Sequence, residues 1–181
     1  MSVNIGIILG STRVGRYSPA VGEWVKQIAD KREDATFEII DIAEFDLPFF
    51  CVTLMEDERV LRWNEAIAKC DGFIFIAQEY NHSITGALKN ALDFGREPWN
   101  NKAAGIVSYG ALGGARAAEH LRGILGELAI ADVRTHPGLS IFTDWEERTT
   151  FNPADLHVPV VEKMMDEVVS WSAALKTVRE K

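Results

Sequence analysis

Apolar and polar positions along this chain fall into blocks that read as strand, loop, helix, five times over. Val3 to Leu9 is a short, continuous apolar run rich in isoleucine, the pattern of a parallel strand buried on both faces. The polar stretch Gly10 to Ser18 follows, and Val21, Trp24, Val25 and Ile28 then share one helical face. Ser18 stands where an N-cap belongs and Pro19 at the first helical position, where a missing N–H costs nothing. Thr36 to Ile42 reads as a second strand. Leu47-Pro48-Phe49-Phe50 reads as an apolar loop, because proline cannot donate to a ladder. A helical stripe of Val60, Trp63, Ile67 and Cys70 runs from Glu56 to about Cys70, and Phe73 to Ala77 is a third strand.

The same alternation continues to the end. A helix over about Gly86 to Gly95 carries Leu88, Ala91, Leu92 and Phe94, and a turn from Arg96 to Asn101 holds Trp99. Ala103 to Ser108 is a fourth strand, followed by a helix with Ala118, Leu121, Leu125 and Leu128 on one face. Val133 to Ile141 is expected as a fifth strand, kinked by Pro137-Gly138. Thr143 to Asn152 reads as a long connection, within which Asp144-Trp145-Glu146-Glu147 is expected as a solvated loop anchored by Trp145. The last helix is expected from Pro159, with Val160, Met164, Val168, Trp171 and Leu175 stacked inward. Parallel neighbours need crossover connections, so this pattern predicts one α/β domain over residues 1–181. Five strands suit the doubly wound order 2-1-3-4-5 with helices on both faces. In that order the loops after strands 1, 3 and 4 meet at one edge of the sheet, beside the point where the winding reverses.

Those three loops carry the candidate chemistry. Ser11, Arg13, Arg16 and Ser18 lie between a strand and a helix N-terminus, where open amides and the helix dipole favour a phosphate. The Gly-Lys-Ser/Thr ending of a triphosphate cradle is absent, as is the three-glycine dinucleotide spacing. No cysteine stands in the loop. Gln78, Glu79, Tyr80 and Asn81 after strand 3 bring polar groups and an aromatic side chain. Gly110, Gly113 and Gly114 after strand 4 allow backbone N–H groups to approach a flat ring. Singly, each loop also fits an ordinary turn, and the arginines could pair with surface carboxylates. Together, one loop for a phosphate and two for a ring describe a mononucleotide such as FMN.

Composition narrows the partners. The 181 residues are 47% hydrophobic and 25% charged, with a net charge of -8. No basic stripe is available for nucleic acid, and no apolar run approaches the roughly 18 residues of a membrane span. Met1-Ser2 leads directly into strand sequence, so no leader peptide is expected. Cys51 and Cys70 are far apart, the reading of free thiols in a cytoplasmic protein. His82, His120, His136 and His157 are scattered, so they are expected at the surface or as caps, and no metal site is expected.

The motifs Gly-Ser-Thr-Arg-x-Gly-Arg at 10–16, Glu-Tyr-Asn-His-Ser at 79–83 with Leu-Lys-Asn-Ala-Leu-Asp at 88–93, and Ser-Tyr-Gly-x-x-Gly-Gly-x-Arg at 108–116 resemble the NADPH-dependent FMN reductase family. That group includes quinone, azo-dye and chromate reductases. The resemblance covers Val3 to about Ile141. It implies a flavodoxin-like fold, FMN held by the three loops with Ser108 among the contacts, and a homodimer or homotetramer with the flavin near a subunit interface. An oligomer would also give the Phe49-Phe50 loop and Trp99 a covered environment. Gln78 departs from the family, which has proline there, and Thr85 stands where proline is common.

The expected activity is electron transfer from NADPH or NADH through FMN to a small acceptor such as a quinone, azo compound, metal oxyanion or free flavin. The flavin carries that chemistry, so no side chain is named as catalytic. Arg16 or Tyr109 could meet the nicotinamide nucleotide. The alternatives are a flavodoxin-type electron carrier and a flavin-free interaction module.

Overall fold

The structure, a computed structural model, describes residues 2–51, 56–95 and 97–180; Arg96, in the expected turn, lies outside them. Strands β1 (Val3–Leu9), β2 (Ala35–Asp41), β3 (Gly72–Gln78) and β4 (Lys102–Gly110) pair in parallel, in the order 2-1-3-4. Two short strands, β5 (Ile130–Asp132) and β6 (Gly138–Ser140), complete the sheet, both paired with β4. The predicted order 2-1-3-4-5 is therefore found. Every residue of β3 and β4 is buried, which is why these strands read as unbroken apolar runs.

Five helices cover the sheet. On one face lie α1 (Ser18–Ala29) and α5 (Val158–Arg179), whose Val21, Val25, Met164 and Val168 pack on Ile5, Ile7, Ile74 and Ile76. On the other lie α2 (Glu58–Ala68), α3 (Gly86–Phe94) and α4 (Ala115–Glu127), whose Trp63, Leu92 and Leu121 pack on Ile8, Phe73, Phe75 and Ile106. Helices on both faces of a parallel sheet in this strand order make the topology doubly wound.

Four local expectations are corrected. The fifth strand is two strands, because the segment between them leaves the ladder. Asp132 pairs with Ala104 and Gly138 with Ser108, so five residues of the edge chain span three of β4. Pro137 has no N–H to donate and sits in this excursion. Trp99 is wholly buried against Trp63, Phe73 and Phe75, and contributes nothing to an outer surface. The inward face of α5 is Val161, Met164, Met165, Val168 and Ser172, while Trp171 is exposed. The missing side chains of Gly72 and Gly105 set that face: a Cβ on Gly105 would lie 2.7 Å from Met164 Sδ. Finally, residues 145–151 form a small hairpin, β7 (Trp145–Glu146) and β8 (Thr150–Phe151), rather than a solvated loop.

Asp71 holds the N-terminal edge of the sheet to α5. Its carboxylate accepts from Asn4 N–H and Lys176 Nζ at 3.0 Å each and from Arg179 at 2.5 Å. Burial pushes this carboxyl up, but the Asn4 amide and the two cations more than offset it, leaving the pKa below the ordinary 3.8. A depressed carboxylate stabilises the fold above its unfolded pKa and loses that contribution as pH falls through its folded one. Asp71→Asn should therefore cost about 1.5–3 kcal/mol at pH 7, the worth of hydrogen bonds to charged groups. The difference from wild type should shrink below about pH 4, as read by urea unfolding across pH.

Candidate functional site

The first loop leaves β1 at Gly10, which can pass close to β3 only without a side chain: a Cβ would lie 2.7 Å from the Ile76 carbonyl. Thr85 fixes it from the other side. Its hydroxyl donates to Gly10 O at 2.5 Å and accepts from Leu88 N at 2.9 Å, so Thr85 both caps α3 and pins the loop. Ser11 is buried, and its Oγ accepts from Arg13 N at 3.4 Å. Arg16 is held in place by an acid. Its guanidinium makes a two-pronged pair with Asp41 at the end of β2 (2.7 and 2.5 Å) and also donates to Ser11 O. Arg13 has no carboxylate partner among the described residues; its nearest polar contact is Gly15 O at 3.5 Å.

Ser18 is the first residue of α1 rather than its N-cap, which is Tyr17, because Pro19 fits the second helical position as well as the first. The correction matters to the chemistry. Ser18 Oγ does not cap an amide of its own helix. It is buried without a hydrogen-bond partner, with the Tyr109 phenol as its polar neighbour.

The second loop folds into a tight turn in which Tyr80 and Ser83 exchange backbone hydrogen bonds (2.9 and 3.1 Å). Asn81 and His82 at its tip are both left-handed, as such a turn demands, and both are exposed. Glu79 turns away toward α4. Its carboxylate accepts from Arg116 N at 3.2 Å and Arg116 Nε at 2.6 Å, and Arg116 also reaches His82 Nε2 at 3.0 Å. Glu79 thus locks the second loop to the third, at a helix N-terminus that favours its charge. Arg116 was visible in the sequence only as part of a motif; its partner stands 37 positions away.

Gln78 accepts from the Tyr109 hydroxyl at 3.2 Å. Burial, and then Tyr80, push the Tyr109 pKa up, so its phenol stays a donor. Tyr109, Tyr17 and Trp145 form a triangle of rings with centroids 5.3–6.5 Å apart. Tyr17 also donates to the Arg148 carbonyl, which draws the 145–151 hairpin against the first loop. The hairpin's base is fixed by Asp144, which is buried and accepts from Ser140 N, Ala154 N and His157.

The three loops enclose a cleft of roughly 350 Å³ lined by Arg13, Arg16, Tyr17, Gln78, Glu79, Tyr80, Tyr109, Gly110, Ala111 and Ile141. The predicted convergence is therefore real for the loops, though not for every residue in them. Ser108, Gly113 and Gly114 are not among the lining residues; Ser108 is wholly buried. A larger cleft of roughly 560 Å³ flanks the first loop on its other side, between Thr12, Leu47, Phe49 and Asn90. No group of three or more metal-ligating side chains occurs among the described residues.

The smaller cleft fits a phosphorylated flavin on the structure's own terms. Ser18 Oγ, an unpartnered buried hydroxyl, lies where the first turn of α1 leaves amides open. Arg13 supplies a cation with no acid of its own nearby. Gly110 gives a ring close access to the backbone, in a place where a Cβ would meet Glu79 Cβ at 3.0 Å.

Comparison with known proteins agrees. Residues 3–144 match the family described as NADPH-dependent FMN reductase. An NAD(P)H-dependent FMN reductase of Schizosaccharomyces pombe is 31% identical over 156 residues, covering 82% of this chain and 78% of the relative. A 2-hydroxy-1,4-benzoquinone reductase of a Burkholderia species is 32% identical over 139 residues, covering 72% and 74%. Among solved structures, the flavoenzyme NAD(P)H:(acceptor) oxidoreductase FerB of Paracoccus denitrificans superposes with a TM-score of 0.75 at 22% identity, covering 95% of this chain and 98% of that one. A flavodoxin, WrbA-like protein of Agrobacterium tumefaciens superposes with a TM-score of 0.60 at 19% identity, covering 96% and 99%. At these identities the superpositions show a shared fold.

The Glu79–Arg116 pair gives a direct test of how the second and third loops are held. Glu79 is only 6% exposed at its side chain and Arg116 38%. Arg116→Met leaves a nearly buried carboxylate without its cation, at a cost of about 2–3 kcal/mol after allowing for the exposed arginine. Adding Glu79→Gln should recover most of that loss, since the amide carries no charge to strand. Urea unfolding of the two single variants and the double variant measures both.

Proposed function

Since this chain belongs to the NADPH-dependent FMN reductase family, an FMN-dependent NAD(P)H oxidoreductase with quinone-type acceptors, we propose that the 350 Å³ cleft is where FMN sits and where both substrates meet it. When bound, the flavin accepts a hydride from NAD(P)H and passes electrons to the acceptor. The protein's part is to bind, orient and leave one face open. In this reading the phosphate rests on Ser11, Arg13, Ser18 and the amides of the first loop and α1. Arg16 braces that loop through Asp41. The ring lies against Gln78, Tyr80, Asn81 and the Gly110 backbone, with Glu79, Ser108, Gly113 and Gly114 fixing the walls. No side chain is needed as an acid or base.

The observation that carries this is the buried hydroxyl of Ser18, whose polar neighbour Tyr109 lines the cleft together with Arg13, an arginine without a carboxylate partner among the described residues. A phosphate satisfies both at once. The test compares FMN with riboflavin, which has the same ring and no phosphate. Arg13→Ala should weaken FMN by roughly tenfold to a hundredfold and spare riboflavin, from about 1.5–3 kcal/mol for a hydrogen bond to a charged group. Ser11→Ala and Ser18→Ala should shift the ratio in the same direction by less. A ratio unchanged in all three, measured by fluorescence quenching, places the phosphate elsewhere.

The same reading includes a cytoplasmic homodimer or homotetramer that reduces small molecules. No helix among the described residues is long and apolar enough to cross a membrane, and both cysteines are free. Phe49 is 80% exposed at the tip of a loop held up by Asn90, which accepts from Phe50 N and donates to Pro48 O at 2.8 Å each. A large apolar ring presented so rigidly suits a contact with another subunit. Phe49→Asp should therefore dissociate the assembly at micromolar concentration without lowering the melting temperature of the separated chain. Sedimentation showing a wild-type monomer would remove the oligomer from this account.

A further inference from the structure

His136 was expected at the surface or as a cap, and the structure places it half-buried, under the third loop. The five-residue excursion between β5 and β6 carries it there. Its Nε2 lies 2.7 Å from Ser108 Oγ, and Ser108 Oγ lies 2.6 Å from the Gly113 carbonyl oxygen. A hydroxyl has one proton to give, and a carbonyl can only accept. Two oxygens 2.6 Å apart with no proton between them repel, so the Ser108 proton lies on the line to Gly113. His136 must then donate from Nε2. Burial, and then the Arg122 guanidinium, hold its pKa below the ordinary value, with Glu119 opposing, so a neutral ring carries its one proton on that nitrogen. The backbone repeats the grip, since Ser108 N donates to Pro137 O at 3.0 Å.

What this relay holds is a peptide that could easily turn over. Gly113 and Gly114 are both left-handed, at φ 67° and 70°, and two glycines in succession leave the plane between them free to flip. A trans peptide points its C=O and N–H in opposite directions. With the Gly113 carbonyl turned inward to Ser108, the Gly114 N–H points away from Ser108. Gly114 N lies close to Gly110, which lines the cleft: a Cβ on Gly110 would be 3.4 Å from it.

We propose that His136 is a positioning residue for the flavin: through Ser108 it holds the Gly113–Gly114 peptide with the Gly114 N–H presented to the cleft. The proposal rests on the assignment of that cleft to FMN. An N–H aimed at the ring stabilises negative charge on reduced flavin more than it stabilises the neutral oxidised form. Its loss should therefore be felt in the ratio of the two affinities rather than in binding as a whole.

The experiment measures the midpoint potential of FMN bound to the whole protein, in wild type, His136→Leu and His136→Gln, with His120→Ala on the exposed face of α4 as a control. His136→Leu removes the donor, and reduced FMN should lose about tenfold relative to oxidised FMN, a potential about 30 mV more negative for a two-electron couple. Gln can place an amide N–H where the imidazole N–H was, so His136→Gln should stay within about threefold of wild type. Ser108→Ala breaks the relay from its other end. It should reproduce the shift, and combining it with His136→Leu should add nothing further. It also keeps the question open to test if His136→Leu fails to fold. Equal shifts in His136→Leu and His136→Gln, or no shift in either His136→Leu or Ser108→Ala, overturn the proposal. The Gly114 amide resonance gives a readout independent of the flavin: it should move in His136→Leu and not in His136→Gln or His120→Ala. Protein that takes up no FMN overturns the assignment of the cleft, and that resonance then still decides what His136 does.

Discussion

Everything at the cleft depends on three parallel strands ending level with one another. β1 pairs with β3 up to Leu9 and Ile76, and β3 pairs with β4 up to Gln78 and Tyr109. Because parallel ladders fix neighbouring chains in the same direction, the three exits open on one edge of the sheet, and the chain there has little choice but to build a common site. The close approach of Gly10 to Ile76 and of Gly110 to Glu79 then draws the loops inward. The helices do not make the cleft. They hold its exits in place from the two faces, and Thr85 and Ser18 show how a helix start is used to tie a loop down or to leave a polar group open.

This is why so much was legible in the sequence. β1, β3 and β4 are buried on both faces, so they read as apolar runs, and the order of strands follows from their alternation with helices. The positions of the three loops came with them. The first turn of α1 is displaced by one residue from its expected start, since Pro19 is equally at home in either of the first two helical positions. The family resemblance drew on the same loops and on the same glycines.

What escaped the sequence were the contacts that cross it. Glu79 lines the cleft and is also a strut for α4, because its partner Arg116 stands in the first turn of that helix, 37 positions on. Arg16 lines the cleft and is also held by Asp41, 25 positions on. Trp99 looked like an outward aromatic and fills the core. In the sequence the β5–β6 excursion reads only as a kink at Pro137-Gly138, and a kink does not say that a histidine swings under the third loop. Such pairings depend on where the folded chain brings distant residues, and no local pattern encodes them.

The excursion has a consequence of its own. It lies on the outermost strand of the sheet, which has no neighbour on its far side to keep in step. Two residues can be added or removed there without breaking any other strand's ladder, yet each change moves a side chain against the underside of the third loop. If His136 acts as proposed, altering the length of this segment would retune the electron affinity of the site while leaving the residues that line the cleft untouched. For an engineer, the edge of the sheet is then a better place than the pocket to begin.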